Sequence, residues 1–549
     1  MTQLKDDSAV PTNAGMTHRQ VLEALSGLLL GMFMAMLSAM IVSNALPRIV
    51  AELHGSQSAY TWVVTGGLLA TTATTPIWGK LADLTSKKLL VQVAMLIFLA
   101  GSVLSGLAQS TGQLIAFRVL QGVGAGGHIA LSQVILAVMI PPRERGRYMG
   151  YLGAVMAAAT ISGPLLGGVI VDTPWLGWRW CFFIGVPFGL LAMVALHRTL
   201  HLPKITRKVR VDYLGAAVIT AAVSLILVWV TFAGDRFAWA SWQSAAMVGA
   251  GLLLAALAVL IESRAAEPII PLGLFRSRTV TLATVASIAV GLAMFGAALF
   301  LSLYFQIGRG QSPTVAGLMT LPIVLGQVLS STVVGRLITR TGRWKRYLVG
   351  GSVSLAIGIA LMSTIDADTN IAMLCGYMAL IGVGIGTTLQ NLVLAVQNAV
   401  DPSELGAASA VVTFFRSLGG ATGVSVLGAV LAHQAAGYLA AGLAKLGLTV
   451  ETGGTSRDAI PDVRELPEPV RAVVASAYAD AVGDLFLIAV PFALVAVVAI
   501  AFIREVPLSR IAAIDVLRER AAVPVKAEAP AAAEPDRTSR TTGPTAPVR

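Results

Sequence analysis

Charge is what this chain of 549 residues has least of: Asp, Glu, Lys and Arg together make up 12% of it, about half the share found in a soluble domain. Hydrophobic residues reach 56%, so water is excluded as the main solvent. Cysteine is nearly absent. Cys181 and Cys375 stand far apart in apolar segments, which leaves no disulfide framework and no CxxC metal spacing; two packed thiols are expected. HExxH, a Cys/His ligand cluster, GxSxG and a Walker A loop are all missing. Their absence disfavours a membrane-embedded enzyme and an ATP-driven pump. The net charge of +11 does not mark a nucleic-acid binder, because the basic residues fall in short clusters between apolar runs. No cleavable signal is expected either. Residues 1–19 are polar, and the run from Val21 to Leu46 exceeds a signal core of about 7–15 residues.

What the chain has is apolar runs. A helix needs about 20 apolar residues to cross a bilayer. Fourteen runs qualify: 21–46, 60–79, 89–108, 112–139, 148–172, 178–199, 212–233, 243–262, 279–305, 313–337, 347–365, 370–399, 407–433 and 480–503. The fold class expected is an all-α membrane protein with the bilayer as its first partner. An even number of spans puts both termini on one side. If that side is internal, the internal loops hold nineteen basic residues, among them Lys80, Lys87, Lys88, Arg143, Arg145 and Arg147. The short external loops hold four, Arg48, Arg179, Arg236 and Arg309. That asymmetry sets both termini in the cytoplasm. Segment 434–479 is then a long external loop. The tail at 510–549, rich in Ala, Pro and Glu, is expected to be disordered and cytoplasmic, and 1–20 is a short cytoplasmic lead.

The chain also repeats itself. Gly79-Lys-Leu-Ala-Asp-Leu-Thr-Ser-Lys-Lys88 is echoed by Gly335-Arg-Leu-Ile-Thr-Arg-Thr-Gly-Arg-Trp344, an offset of 256. Gly122-Val-Gly-Ala-Gly126 is echoed by Gly382-Val-Gly-Ile-Gly386, an offset of 260. Two echoes at nearly one offset mean duplicated halves: a six-helix bundle at 21–199, two inserted helices at 212–262, and a second six-helix bundle at 279–503. Repeated halves with a site at their interface are the plan of a secondary transporter.

Several segments resemble the major facilitator superfamily, and within it the fourteen-span drug:proton antiporters of bacteria. Gly79–Val91 is similar to the superfamily's loop between spans two and three, with Ser86 where the pattern has a second glycine. Arg118-Val-Leu-Gln-Gly-Val-Gly-Ala-Gly126 resembles the motif of span four. Gly153 through Gly163-Pro164-Leu-Leu-Gly167-Gly168 resembles the antiporter motif of span five. Trp178-Arg-Trp-Cys-Phe-Phe-Ile-Gly-Val-Pro187 and Gln306-Ile-Gly-Arg-Gly-Gln-Ser-Pro313 are similar to segments of the fourteen-span branch. The resemblance runs from residue 20 to about 505. It implies export of lipophilic small molecules by alternating access, driven by the proton gradient with no cofactor, from a monomer in the bacterial cytoplasmic membrane. An exporter of an endogenous lipid or natural product is the alternative.

Site residues follow from position and from that resemblance. The resemblance makes Gly79, Asp83, Lys87 and Lys88 a latch in the outward-facing state, against the bland reading of solvated loop charges. Arg118 lies about 9 Å inside span four and is a functional candidate unless it snorkels to the headgroups. Gln121 shares its face. The small residues Gly153, Gly163, Gly167 and Gly168 permit close helix approach, and Pro164 interrupts the helix ladder. Met32, Met36 and Met40 give span one an adaptable surface suited to a substrate cavity, or to plain packing. Arg416 is a second intramembrane cation. Relatives carry an acid in span one where this chain has Ser38, and no Asp or Glu lies mid-membrane; Glu23, Asp172, Asp212, Glu262 and Asp484 stand at span ends. The remaining candidates for proton coupling are His128, within about 20° of the Gln121 face and titrating near neutrality, and the rim carboxylates Asp172 and Asp484.

Overall fold

The structure, a computed structural model, describes residues 18–54, 57–173, 176–200, 202, 212–234, 236–446 and 467–522. Its first half comprises α1 (His18–Glu52), α2 (Gln57–Leu84), α3 (Lys87–Gly106), α4 (Thr111–Met139) and α5 (Arg145–Asp172), then α6 (Trp180–Phe183) and α7 (Gly185–Thr199), which continue one another across Ile184. Helices α8 (Tyr213–Phe232) and α9 (Trp242–Arg264) form the insert. The second half holds α10 (Arg278–Leu303), α11 (Pro313–Met319), α12 (Leu321–Thr341), α13 (Lys345–Met362), α14 (Ile371–Gln397), α15 (Leu405–Lys445) and α16 (Glu468–Phe502). A short α17 (Ala513–Ala522) follows.

Side-chain caps set many of the starts. Ser110 accepts from Gln113 N, Ser241 from Ser244 N, Ser312 from Val315 N and Asn370 from Ala372 N, each satisfying an amide the helix cannot. Ser86, the departure from the superfamily pattern, caps α3 by accepting from Leu89 N. Gly342, with φ +70°, closes α12 in the left-handed conformation, where a glycine has no Cβ to clash.

Among the described residues, twelve helical stretches are long and apolar enough to cross a membrane. Helices α2 and α5, 28 residues each, lie outside that set, so apolarity gives twelve spans and length gives fourteen. Two boundaries differ from the sequence reading. Segment 434–479 is helical at both ends, since α15 runs to Lys445 and α16 begins at Glu468; residues 447–466 lie outside the described residues. The tail is folded as far as 522. Ala512, Ala513 and Ile514 enter the apolar core of the first half beside Leu405, burial that a composition-based expectation of disorder does not register. Residues 1–17 and 523–549 lie outside the described residues.

The duplicated glycines explain the packing. In α4, Gly122 and Gly126 lie against main-chain oxygens of α2, Gly67 O and Thr71 O, while Gly124 meets Ala94 and Phe98 of α3. In α14, Gly382 and Gly386 lie against Ile323 O and Gln327 O of α12, while Gly384 meets Leu355 of α13. Each motif wedges one helix between two others. Between the halves, α5 runs along α12 and α2 along α15. Helix α8 lies over the second of these seams, where Ile219, Val223 and Leu227 pack with Ala73 of α2 and Phe414 of α15.

Candidate functional site

The basic end of the bundle holds the residues expected to form a latch. Asp83, at the end of α2, crosses the seam to the first turn of α15, accepting from Gly406 N at 2.7 Å and Ala407 N at 2.8 Å. The first amides of a helix have no internal partner and carry its positive pole, so a carboxylate is held there by charge and by hydrogen bonds together. Gly79, one turn earlier, lies against Gly406 O, which a Cβ would meet at 2.7 Å. Across the pseudo-twofold the arrangement recurs, with Gly335 of α12 and Gly146 of α5 in backbone contact. Gly79 and Gly335 are 256 apart and Gly146 and Gly406 are 260 apart, the two offsets of the repeat. The chemistry does not recur, because the residue matching Asp83 is Thr339. There Arg143 instead donates to Thr339 O at 3.4 Å. Of the other residues expected in the latch, Lys88 donates to His197 O at 2.6 Å within the first half, and Lys87 opens α3 beside Asp83.

Deeper in the first half, four of the polar groups form a chain. Arg118 donates to Gln121 Oε1, and Gln121 Nε2 donates to Ser102 Oγ at 2.6 Å and Ser38 Oγ at 3.3 Å. Ser38 is therefore wired to Arg118 through one amide. Arg118 Nε is buried without a partner. His128 does not join the chain. Its ring packs against Gly31 of α1 and the Leu28 backbone, and neither nitrogen makes a hydrogen bond of normal geometry.

The remaining candidates are dispersed. Asp484 of α16 accepts from Tyr438 Oη at 2.7 Å and Gln434 Nε2 at 3.2 Å, both on α15. Arg416 sits in α15 where that helix crosses Gly291 of α10. Met32 is in the core of the first half and Met36 packs against its outer cluster. Met40 lies against Gly163. A Cβ on Gly153 would meet Ser331 and Val328 of α12 at ordinary contact distance, 3.7–3.8 Å. Helix α5 continues through Pro164, Gly167 and Gly168; the side chains of Pro164 and Asp172 lie outside the described residues. An apolar recess lined by Leu292, Gly296, Phe300, Ile359, Leu427 and Phe486 lies inside the second half. Among the described residues no three His, Cys, Asp or Glu side chains come together as a metal site.

Sequence reasoning missed a second polar cluster at the seam. Arg145, 1% exposed, folds back over the end of α4, donating to Ile140 O at 2.8 Å and to Ala137 O, and reaches across to Gln397 Oε1 at 2.8 Å. Gln397 in turn donates to Ser409 Oγ at 2.8 Å. One layer deeper, Gln133 Nε2 donates to Gln390 Oε1 at 3.1 Å. The available signal was glutamine in apolar runs: Gln133 and Gln390 are 257 apart, inside the offsets of the repeat. The hydrogen bonds described between the halves thus cluster at one end of the bundle.

Comparison with known proteins agrees with this architecture. The Major Facilitator Superfamily model matches residues 28–424. An uncharacterised MFS-type transporter of Mycobacterium tuberculosis is 36% identical over 491 residues, covering 88% of this chain and 70% of that protein. The multidrug transporter protein MdtP of Bacillus subtilis is 34% identical over 407 residues, 74% of each chain. The efflux pump dotC of Dothistroma septosporum is 32% identical over 499 residues, covering 89% of this chain and 84% of that one. Among solved structures, the human organic anion transporter MFSD10 superposes with a TM-score of 0.57 at 14% identity, covering 86% of this chain and 99% of that one. The proton:xylose symporter XylE gives the same score and identity over 91% and 99%; at that identity both likenesses speak for the fold alone. The chain belongs to the major facilitator superfamily, and is a multi-pass membrane transporter rather than an enzyme.

Proposed function

We propose that this transporter exports lipophilic small molecules by proton antiport, as a fourteen-span monomer in a bacterial cytoplasmic membrane with both termini in the cytoplasm. The observation that carries the reading is the one-ended clasp. Asp83, the two glycine contacts and the Arg145–Gln397 bond hold the halves together at the basic end, and the positive-inside rule assigns that end to the cytoplasm. A transporter shut on the cytoplasmic side is poised to release cargo outward. An interior nearly free of acids suits neutral, amphipathic or anionic lipophiles, and relatives named multidrug transporter and efflux pump support export as the direction. Arg118, bonded to Gln121 in a chain that ends on two serines, would supply the fixed positive charge against which substrate or proton state is sensed.

Proteoliposomes with an imposed pH gradient and a panel of fluorescent lipophiles test this. Export should follow the gradient and stop with an uncoupler. Arg118→Ala should reduce it at least tenfold at matched protein content. Gradient-independent flux in the wild-type protein removes proton antiport from the reading.

A further inference from the structure

Two carboxylates that the latch does not use face each other at the basic end of the inserted helices. Asp212 caps α8, its Oδ1 accepting from Gly215 N at 2.8 Å. Glu262, 4% exposed, lies at the end of α9, its Oε2 accepting from Ile270 N at 3.0 Å. One oxygen on each remains, Asp212 Oδ2 and Glu262 Oε1, and both are buried without a hydrogen-bond partner. A Cβ on Gly215 would touch both atoms, which places them at most about 5 Å apart. Two ionised carboxylates that close, shielded from water, repel each other and leave both lone-pair sets unsatisfied. A single proton resolves both problems, turning one oxygen into a donor and the other into its acceptor.

We propose that Asp212 and Glu262 share one proton while the α2–α15 seam is closed, and that this proton holds the insert over the seam. The surroundings fit. Lys80 of α2 is committed to Glu267 in the linker after α9, at 2.7 Å, although it also bears on Glu262 electrostatically. Arg264 and Arg276 are exposed, Asp83 is engaged by α15, and Arg416 lies at the α10 crossing of α15. Arg210, two residues before Asp212, lies outside the described residues. Glu262 holds the amide of Ile270, and Ile269 beside it packs into the cluster formed by α8, α2 and α15. Loss of the proton sets the start of α8 against the end of α9 and loosens that cover, whose contact at Phe414 lies about two turns along α15 from the Gly79–Gly406 contact. The seam should therefore open more readily as pH rises. This last step rests on the alternating-access reading above; the shared proton does not.

Infrared difference spectroscopy of the purified protein tests the proton directly. The wild-type protein should show the carbonyl band of a protonated carboxyl, shifted in heavy water, and both Glu262→Gln and Asp212→Asn should remove it. Each variant keeps its structural bond, since Asn still caps α8 and Gln can still accept from Ile270 N. Reactivity of a cysteine placed at Thr413, in a background lacking Cys181 and Cys375 and taken at each pH relative to a freely exposed thiol so that thiolate ionisation cancels, reads the seam. It should rise at least fivefold from mildly acid to mildly alkaline pH in the wild-type background. It should be flat and low with Glu262→Gln, whose amide donates permanently. A band that survives in both variants, or is absent from the wild type, overturns the shared proton; a seam indifferent to pH in the wild-type background overturns its coupling. Loss of gradient-driven export with the band intact sinks proton antiport and leaves this site standing.

Discussion

Asp83 makes two hydrogen bonds to main-chain amides of the opposite half, and a bond to a charged group contributes about 1.5–3 kcal/mol. Asn at this position keeps the shape and one acceptor oxygen but loses the charge facing the positive pole of α15. Asp83→Asn should therefore weaken the closed seam by about 2 kcal/mol, roughly a thirtyfold shift in population. Reactivity of a cysteine at Thr413, buried in the seam, should rise by at least tenfold; an unchanged rate would show that the carboxylate does not hold the halves. How far such residues were legible depended on what their chemistry needs. Asp83 was readable because a loop motif carries it and a lone carboxylate seeks a helix end. Arg145 was not. In sequence it is one of three arginines in a short loop and counts as a solvated topological charge, yet it folds back onto two carbonyls at the end of α4 and reaches Gln397. The Ser38–Gln121 link was half legible. The face shared by Arg118 and Gln121 follows from helix periodicity, but Ser38 and Ser102 come from neighbouring helices whose register only packing fixes.

The helices meet across the seams through glycine, and positions along the α5–α12 seam differ in how much room they leave. At Gly335 any side chain would collide with the Gly146 main chain, whereas at Gly153 a methyl group would make ordinary contact with Ser331 and Val328. Overfilling a tight contact costs about 1–3 kcal/mol and displaces backbone. Gly335→Val should consequently force α5 and α12 apart, raise seam reactivity and reduce export at least tenfold, while Gly153→Ala stays within about twofold of the parent in both measurements. Equal damage from both would mean that the antiporter-type glycine acts by something other than local space. The repeats themselves were visible as echoed glycines. What they touch was not, because a glycine in sequence announces closeness without naming the partner. The folding of 512–514 onto the first half was hidden in the same way. A few apolar residues in an Ala- and Pro-rich tail carry no periodic signal, and they find a core only because the basic end offers one.

At the scale of the whole molecule, the clasp gains a direction only from charge. Nineteen basic residues on one set of loops against four on the other would place the closed seam at the cytoplasm. The chain end agrees internally, since Arg143 N donates to Ser509 O and α17 packs against α4; wherever the basic end lies, the C-terminal segment begins there too. Orientation, state and tail location are thus one question, answerable by one measurement. In a background lacking Cys181 and Cys375, a cysteine at Thr455 should react with an impermeant reagent in intact cells, and one at Thr538 should react only after lysis. Because the tail and the seam share an end, labelling of Thr538 in intact cells would invert more than topology. The structure would then be closed toward the outside, Asp83 would guard the external gate, and the proton shared by Asp212 and Glu262 would exchange with the medium rather than with the cytoplasm.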